Sequence, residues 1–588
     1  LPARHQSLQA VFAYSWQRLP EEQALTLAQC SVFQGGFAAA AGQAVTGAPF
    51  SRLTALAQKS LLRPLGNGRF DMHELIRHFA AEKLALLPEN GRAIPARHSD
   101  YYLDFLQQRQ AQLENETAVL REIQTDMHNI RAAWQWAVQQ RQIDALHKAV
   151  PALAGFYRLT GLYREAYDAF AQAIHSLEEA SATPPLKALL GLLYAEQSYF
   201  VERILNLNEA VQLGQKALAV GVELDDGRLQ TVAHVRLAAI YFAEGSMAQS
   251  EAHSRLGLAL AQGDEGLQRQ HARSLYNLGR IAANRGDHAG ARACYQEALG
   301  LAQKAGSRVD EGWLLNELGA VDWRQGEYEQ ADAYLQQGLT IVRSTGDRQT
   351  EADILKSLGI VAWFQGEYDA ALQSYEASLS IYKEIGDRTG ESSILNNMGL
   401  VAWIQADYER SAAYYEQSLR IKQEIGEWAR AGTTYGNLGV VARAQGKYEQ
   451  AIHYHQQSLA ITEEAGDELG RGRTCNNLGV VAACLGQYEQ AEVYYRQSLT
   501  IRQEIGDREG EATTLGNLGT LAFTRGDYGQ AAAFQAQSLR IRQEIGDRAG
   551  ECLALMGLGL VDGRLGRFEQ ARSRLETAVS LSHTLHNT

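Results

Sequence analysis

The residues of this 588-residue chain that could carry chemistry recur at a regular spacing, and their types suit binding. Asparagine recurs two residues before an evenly spaced glycine. An amide both donates and accepts hydrogen bonds, so a row of amides can pair with the backbone of an extended peptide. The alternative interpretation is that these amides tie neighbouring helices together. The asparagines at this position are Asn277, Asn397, Asn437, Asn477 and Asn517.

A second set of candidates is aromatic or basic. Because aromatic and arginine side chains are common interface anchors, we expect a binding wall, with core packing of the tryptophans as the alternative. Basic residues nearby could hold a carboxylate or an acidic side chain of a ligand. The wall candidates are Trp313, Trp323, Trp363, Trp403, Arg443 and Phe523, and the other basic candidates are Arg280, Arg324, Lys356 and Arg473.

Motifs for catalysis are absent from the sequence. It contains no Gly-x-Ser-x-Gly elbow, no His-Glu-x-x-His pair and no GxxxxGK[ST] phosphate-binding loop. The five cysteines include no Cys-x-x-Cys pair, which argues against a zinc module or a disulfide framework. We therefore predict no enzymatic activity, no catalytic residue and no metal site, and we expect that this chain alone does not hydrolyse ATP.

The candidates are positioned by a 40-residue repeat. A second glycine follows the first by seven residues in every unit but one, where Ala406 replaces it. One period over eight registers indicates a repeat array. Apolar residues at helical spacing predict two helices per unit, and the second glycine suits a left-handed turn between them. The first glycine of each unit is Gly279, Gly319, Gly359, Gly399, Gly439, Gly479, Gly519 or Gly559.

Between units, Gly386 and Asp387 exemplify a helix stop followed by a helix cap. No proline follows Pro185, which suits continuous helical packing. The candidates stand at positions −6, −3, −2, +1, +4 and +5 relative to the first glycine. Because a helix turns by roughly 100° per residue, these positions share one face of the first helix of each unit. We predict that this face is the inner surface of the array.

These repeats resemble the tetratricopeptide repeat in three features: Leu-Gly in the first helix, Gly-x-Tyr at the turn, and an aromatic residue such as Tyr415 in the second helix. The 40-residue variant is similar to arrays of kinesin light chains, G-protein-signalling modulators and bacterial regulators. The resemblance is strong over residues 270–588 and weaker over residues 151–269. It implies a right-handed superhelix with a concave groove, in which the asparagines hold peptide ligands.

Residues 1–87 have a different pattern, in which short helices precede a predicted hairpin at residues 61–71. Helices followed by a hairpin suggest a winged helix. Basic residues only slightly outnumber acidic ones here, and the whole chain has a net charge of −13, which argues against nucleic-acid binding. Residues 88–98 predict a linker and residues 99–150 a helical bridging segment. The complete prediction is an all-α fold with a small winged-helix domain followed by the repeat superhelix.

The segment Met72-His73-Glu74-Leu75 resembles the Met-His-Asp motif of signal-transduction ATPases with numerous domains (STAND, or NB-ARC-type, proteins). The resemblance implies that His73 contacts the β-phosphate of ADP held by a separate nucleotide-binding domain. Glu74 replaces the family's aspartate. The alternative is a partly buried histidine that bridges hairpin and helix. No cofactor is expected in this chain, while ADP or ATP is expected in that domain, which we expect to precede Leu1 in a longer protein.

The resemblance predicts the sensing region of a bacterial STAND regulator, whose groove binds a protein, a peptide or a small effector and relays binding to the nucleotide switch. The alternative is a constitutive scaffold similar to the G-protein-signalling modulators. The sequence contains no apolar run long enough to span a membrane. Unpaired cysteines and the absence of a recognisable signal peptide predict a cytoplasmic location.

Overall fold

The computed structural model describes residues 12–87, 90–181, 183–204 and 206–586. The chain divides into two compact units. The first comprises Leu1–Gln365 and Glu384–Gly386, and the second comprises Gly366–Lys383 and Asp387–Thr588. In the described part of both units helices dominate, and the only sheet is small. The predicted all-α class is therefore confirmed.

The N-terminal part of the first unit combines short helices with a three-stranded antiparallel sheet of order β1-β3-β2. The predicted hairpin is present as β2 and β3. A third strand, β1, joins this hairpin, and its Phe37 is fully buried and pairs with Phe70. The elements are α1 (residues 12–17), α2 (Glu21–Gln29), β1 (Phe37–Ala38), α3 (Ala39–Thr46), α4 (Phe50–Gln58), β2 (Arg63–Gly66), β3 (Arg69–Asp71) and α5 (Glu74–Ala85).

Four helices follow and share one apolar core with the N-terminal part, from Leu27 to Ile240 and Val309. Residues 90–98, expected to form a linker, belong to the first of these helices. Pro95 removes one backbone hydrogen bond there, which burial of Ile94 and Tyr102 offsets. The helices are α6 (Asn90–Leu113), α7 (Thr117–Thr125), α8 (Met127–Gln139) and α9 (Ile143–Thr160).

The rest of the first unit consists of stacked antiparallel helices. From α11 onward, each odd-numbered helix is the first of its pair, and we call α9 and the odd-numbered helices α11 to α19 the inner helices. The elements are α10 (Tyr163–Glu178), α11 (Pro184–Arg203), α12 (Leu207–Glu223), α13 (Gly227–Glu244), α14 (Met247–Ala261), α15 (Gln268–Asn284), α16 (His288–Lys304), α17 (Arg308–Arg324), α18 (Tyr328–Thr345) and α19 (Arg348–Phe364).

Helix α20 (Tyr368–Ile385) is divided between the two units. The second unit then continues with five regular helical pairs. They are α21 (Arg388–Ile404) with α22 (Tyr408–Glu424), α23 (Trp428–Ala444) with α24 (Tyr448–Glu464), α25 (Glu468–Cys484) with α26 (Tyr488–Ile505), α27 (Arg508–Thr524) with α28 (Tyr528–Ile545), and α29 (Arg548–Arg564) with α30 (Phe568–His586).

Local features of the repeat explain this regularity. The first glycine lets the paired helix approach closely, since a Cβ on Gly479 would lie 2.6 Å from the Tyr495 ring. The second glycine adopts a positive φ, as Gly486 does at 74°, and Ala406 is forced into the same region at 59°. Asp387 caps α21 by accepting a hydrogen bond from the Gly390 amide at 2.9 Å. The predicted stop, turn and cap are confirmed.

Candidate functional site

The bridging segment lies against the inner helices of the first unit. Glu114, at the end of α6, pairs with Arg269 of α15 at 2.7 Å. Beyond this segment, the hydroxyl of Tyr163, the first residue of α10, donates to the side-chain oxygen of Gln349 on α19 at 3.4 Å. Leu120 of α7 packs so closely on Gly346 that a Cβ there would lie 2.9 Å from it. In the first unit, helical segments therefore cover the surface that the sequence predicted to be a free groove.

A cavity of about 210 Å³ remains between this covering layer and the inner helices. Its lining is strongly charged and comes from six inner helices and the end of α6. The arginines lining it are Arg158, Arg203, Arg236, Arg269, Arg273 and Arg280, and the acidic residues are Glu114, Glu202, Glu317, Asp347 and Asp353.

At one end of the cavity, a buried carboxylate binds two of the lining arginines. Asp310 accepts hydrogen bonds from Arg269 at 2.7 Å, Arg273 at 3.0 Å and the Ser307 hydroxyl at 2.7 Å. Burial opposes ionisation of Asp310, but the two guanidinium groups hold the pKa of its carboxyl far below the usual value. This cluster fixes α15 to α17 and neutralises two of the arginines.

A second cluster surrounds the buried ring of Tyr199. The guanidinium groups of Arg158, Arg203 and Arg236 lie 6.0, 5.2 and 4.7 Å from its centroid. Glu196 accepts a hydrogen bond from Arg158 at 2.5 Å and lies 3.7 Å from Arg236. Burial lowers the pKa of Arg236 to about 10, and the charges of Arg273 and Arg158 add to this effect.

The structure brings three of the sequence candidates into this cavity, namely Asn277, Arg280 and Trp313. The Trp313 indole N–H donates to Asp347 at 3.0 Å, and Arg273 lies 5.2 Å from its ring centroid. Arg280 stacks on Phe242 at 3.9 Å. Asn277 is buried and donates to the Val235 carbonyl at 3.2 Å, so its amide ties α15 to α13.

Other amides of the predicted row also connect neighbouring helices. Asn517 donates to Asn476 at 2.8 Å, and Asn437 lies 3.5 Å from Asn396. Both acceptors stand one position earlier in the preceding repeat, a pairing that the sequence analysis missed. For these residues the structure shows the helix-tying alternative. Asn397 and Asn477 occupy the same register, half-buried on α21 and α25.

The predicted aromatic wall is not continuous with the cavity. Trp323 and Trp363 cluster around Phe364, with centroid distances of 5.6 and 4.6 Å. The indole nitrogen of Trp363 is buried and has no hydrogen-bond partner in the described part of the chain. The same is true of the indole nitrogen of Trp403 in the second unit. Trp403 packs beside a core cluster containing Tyr415. These half-buried rings thus have a large packing role.

The remaining basic and aromatic candidates are dispersed. Lys356 pairs with Asp353 at 2.6 Å beside the cavity, and exposed Arg324 lies 4.8 Å from the Trp323 ring. In the second unit, Arg443 and Phe523 are half-buried on α23 and α27, and Arg473 is exposed on α25. Arg158, Arg203 and Arg236 are not predicted from the sequence, because their repeats are divergent. Arg236 occupies the −2 register when the period is extended upstream as 41 residues.

His73 is exposed and caps α5, where its Nδ1 accepts a hydrogen bond from the Leu75 amide at 3.3 Å. An accepting Nδ1 carries no proton, so in the neutral ring the proton is on Nε2, which can donate to a phosphate oxygen. The histidine is therefore not the buried bridge of the alternative interpretation. Contact of this histidine with a nucleotide phosphate stays a prediction.

The N-terminal part is fastened to α8 through polar contacts. Asn129 accepts from the Gln34 amide at 2.8 Å and donates to the Gly36 carbonyl at 3.1 Å. Arg69 of β3 pairs with Asp126, just before α8, at 2.7 Å. These contacts connect the hairpin that precedes His73 to the bridging segment, and so to the wall of the cavity.

Across the described ranges, no helix combines the length and apolar character needed to cross a bilayer. Within the same residues, no group of three or more histidine, cysteine or acidic side chains has a geometry suited to a metal ion.

Family comparison identifies the regular part of the array. Tetratricopeptide-repeat models match residues 272–304, 310–384, 390–464, 471–544 and 553–577. These segments are therefore tetratricopeptide repeats, as the sequence pattern predicted.

Two kinds of relative are similar to longer parts of the chain. A crystal structure of a STAND protein with a tetratricopeptide-repeat sensor from Pyrococcus horikoshii superposes with a TM-score of 0.50 and 17% identity, covering 79% of this chain and 67% of that one. At this identity the likeness concerns the fold. A Rap protein crystallised with competence and sporulation factor gives a TM-score of 0.44 and 14% identity, covering 61% of this chain and 98% of that one.

Proteins of Mycobacterium bovis and Mycobacterium tuberculosis named as HTH-type transcriptional regulators are 32% identical over 152 residues. The matched stretch covers 24% of this chain and 17% of theirs.

Proposed function

We propose that this chain is the sensing and relay region of a STAND-type regulator. An effector would bind in the charged cavity of the first unit, and its binding would be transmitted through the bridging segment to the N-terminal part. The observation that carries the proposal is that the inner helices α9 to α19 and Glu114, at the end of α6, together line the cavity. A ligand there would touch both the repeats and the bridging segment.

Residues 1–87 are assigned to a winged-helix domain in this proposal, and the hairpin and three-stranded sheet support that assignment. The nucleotide-binding domain would be another part of the parent protein, and its ADP or ATP would supply the phosphate that His73 meets. His73 contributes one hydrogen-bond donor at Nε2, which stabilises the bound anion and with it the closed state.

The relay has a physical basis in the packing. The N-terminal helices, the bridging helices and the early repeats share one apolar core, so a shift of α6 cannot remain local. The polar contacts of Asn129 and Asp126 connect that core to the hairpin. An effector that favours one position of α6 would thus bias the surroundings of His73.

A ligand panel tests the proposal on the purified chain. Amino acids, short peptides, nucleotides and sugars are screened for an increase in melting temperature, since a bound ligand stabilises the folded state. Ala239 lines the cavity, so Ala239→Trp should fill it and abolish the response. Exposed Ala533→Trp is the control and should respond like wild type. A wild-type chain that responds to nothing, or an Ala239→Trp chain that still responds, contradicts the proposal.

A constitutive scaffold is the second candidate, and one observation favours it. Leu553, Met556 and Leu560 are 64%, 45% and 58% exposed along one side of α29. Their spacing matches one helical face, which suits an amphipathic partner segment. Partner binding at this stripe would be lost in Leu560→Asp and retained in Ala239→Trp, which distinguishes it from sensing in the cavity.

A further inference from the structure

We propose that the cavity of the first unit binds an anionic group, a carboxylate or a phosphate, through the guanidinium groups of Arg203, Arg236 and Arg280. The inference deepens the proposed function, because it names the chemistry of the effector that the same cavity takes. It rests on three features of the lining: guanidinium donors without a hydrogen bond to a described residue, the aromatic rings beside them, and the distribution of counter-charges.

The guanidinium of Arg236 is the strongest candidate for contact with the ligand. Its side chain lines the cavity with only 8% of the residue exposed, and it donates no hydrogen bond to any residue in the described part of the chain. Its nearest carboxylate, Glu196, lies 3.7 Å away and already accepts from Arg158. A guanidinium has five N–H donors, and those of Arg236 that open onto the cavity are available to a ligand. A ligand with paired oxygens would accept them.

Arg203 and Arg280 also make no hydrogen bond to a described residue, although both line the cavity. Aromatic rings position them instead, Tyr199 for Arg203 and Phe242 for Arg280. At 3.9 Å from the Phe242 centroid, the Arg280 guanidinium contacts the ring face, and its N–H edge remains available to a ligand. That edge forms a planar fork, which matches the paired oxygens of a carboxylate or phosphate.

The other cavity arginines are already neutralised. Asp310 pairs with Arg269 and Arg273, Glu114 pairs with Arg269, and Glu196 pairs with Arg158. Glu202 and Glu317 line the cavity without an ion pair in the described part of the chain. These two carboxylates would repel an extended polyanion. The lining therefore favours a compact anion flanked by hydroxyl or ammonium groups.

The test uses the purified chain and three probes at matched ionic strength: pyrophosphate, citrate and glutamate. Sodium chloride is the reference. Isothermal titration should show saturable binding of at least one probe to wild type, and Arg236→Gln should weaken it at least tenfold. Arg540, exposed on α28 of the second unit, provides the matched control variant. Arg540→Gln should bind like wild type. The probe that binds distinguishes phosphate from carboxylate sources.

Stability separates a binding role from a structural one. If Arg236 serves a ligand, Arg236→Gln without probe should melt at the wild-type temperature or higher, because Arg236 makes no hydrogen bond within the described residues and Glu196 keeps Arg158 as its partner. A lower melting temperature would assign Arg236 to folding, and Arg203→Gln, at an exposed position, would then carry the binding test. Absence of binding to all three probes overturns the inference. The proposed function survives that result if a neutral ligand of the panel raises the melting temperature of wild type but not that of Ala239→Trp.

Discussion

At the scale of single residues, a substitution of His73 tests the proposed nucleotide contact most directly. His73→Ala in the parent protein should raise basal activity, because one donor to the bound phosphate is lost while the helix remains. The measurement is the rate of nucleotide release. His78 is the matched control, since its side chain is 79% exposed on the same helix. Equal rates for His73→Ala and wild type would remove the assignment.

His455 is a residue whose burial should make the chain sensitive to acid. The imidazole is fully buried, and neither ring nitrogen has a hydrogen-bond partner in the described part of the chain. Burial lowers its pKa to about 4, with the charge of Arg443 adding to the effect. The unfolded chain then binds more protons between about pH 6.5 and pH 4, so stability falls as the pH drops through this range.

Replacing His455 with tyrosine tests that sign. Tyr415 and Tyr495 occupy the same register in the flanking repeats and are buried there, so a tyrosine ring should fit at position 455. His455→Tyr should reduce the loss of unfolding free energy on acidification by up to about 1.4 kcal/mol per pH unit. Urea unfolding at pH 7 and pH 5 measures it, with exposed His453→Tyr as the control. Parallel pH profiles for His455→Tyr and wild type would contradict the argument.

At the scale of helical pairs, close approach at the repeat glycine dominates. Gly479→Ala should lower the free energy of unfolding by about 1–3 kcal/mol, because its Cβ would meet the Tyr495 ring. Gly300 is a helical glycine with nothing within 4 Å of its Cβ position. Gly300→Ala should therefore stabilise the chain by about 0.5–1 kcal/mol. Opposite signs are expected in chemical denaturation, and equal effects would refute the packing explanation.

The turn within each pair gives a further prediction. Ala406 holds a φ of 59° where the other repeats have glycine. Ala406→Gly should relieve the steric cost of the left-handed backbone and stabilise the chain by about 0.5–1 kcal/mol. The reverse change at the equivalent turn, Gly486→Ala, should destabilise by a similar amount. Thermal melting of the two variants checks the pair, and a destabilised Ala406→Gly would show that the alanine side chain contributes packing.

At the scale of the first unit as a whole, docking of the bridging segment is the decisive feature. Glu114→Gln removes the ion pair that α6 makes with Arg269 and leaves Asp310 as the partner of that arginine. Hydrogen exchange in residues 105–125 should become several-fold faster, because local opening loses one stabilising contact. Glu116→Gln, at an exposed position two residues away, is the control. Unchanged exchange in Glu114→Gln would mean that apolar packing alone holds the segment.

Much of the local structure could be predicted from the sequence. Helical pairs, left-handed turns and aspartate caps depend on residues a few positions apart, and the 40-residue period repeats their signals, as Gly479, Gly486 and Asp507 illustrate. Three site candidates, Asn277, Arg280 and Trp313, do meet in the cavity. The other candidates shared a register, but a register does not specify whether an amide faces a ligand or the next helix.

The sequence by itself determined the array, its period and the face of each first helix. Only the tertiary structure decided that bridging helices cover that face in the first unit, and that arginines from α9 to α15 converge beside Glu114. The physical reason is range. Hydrogen bonds and steric clashes within a repeat follow chain spacing, whereas docking of a segment on distant helices follows complementary surfaces that have no period in the sequence.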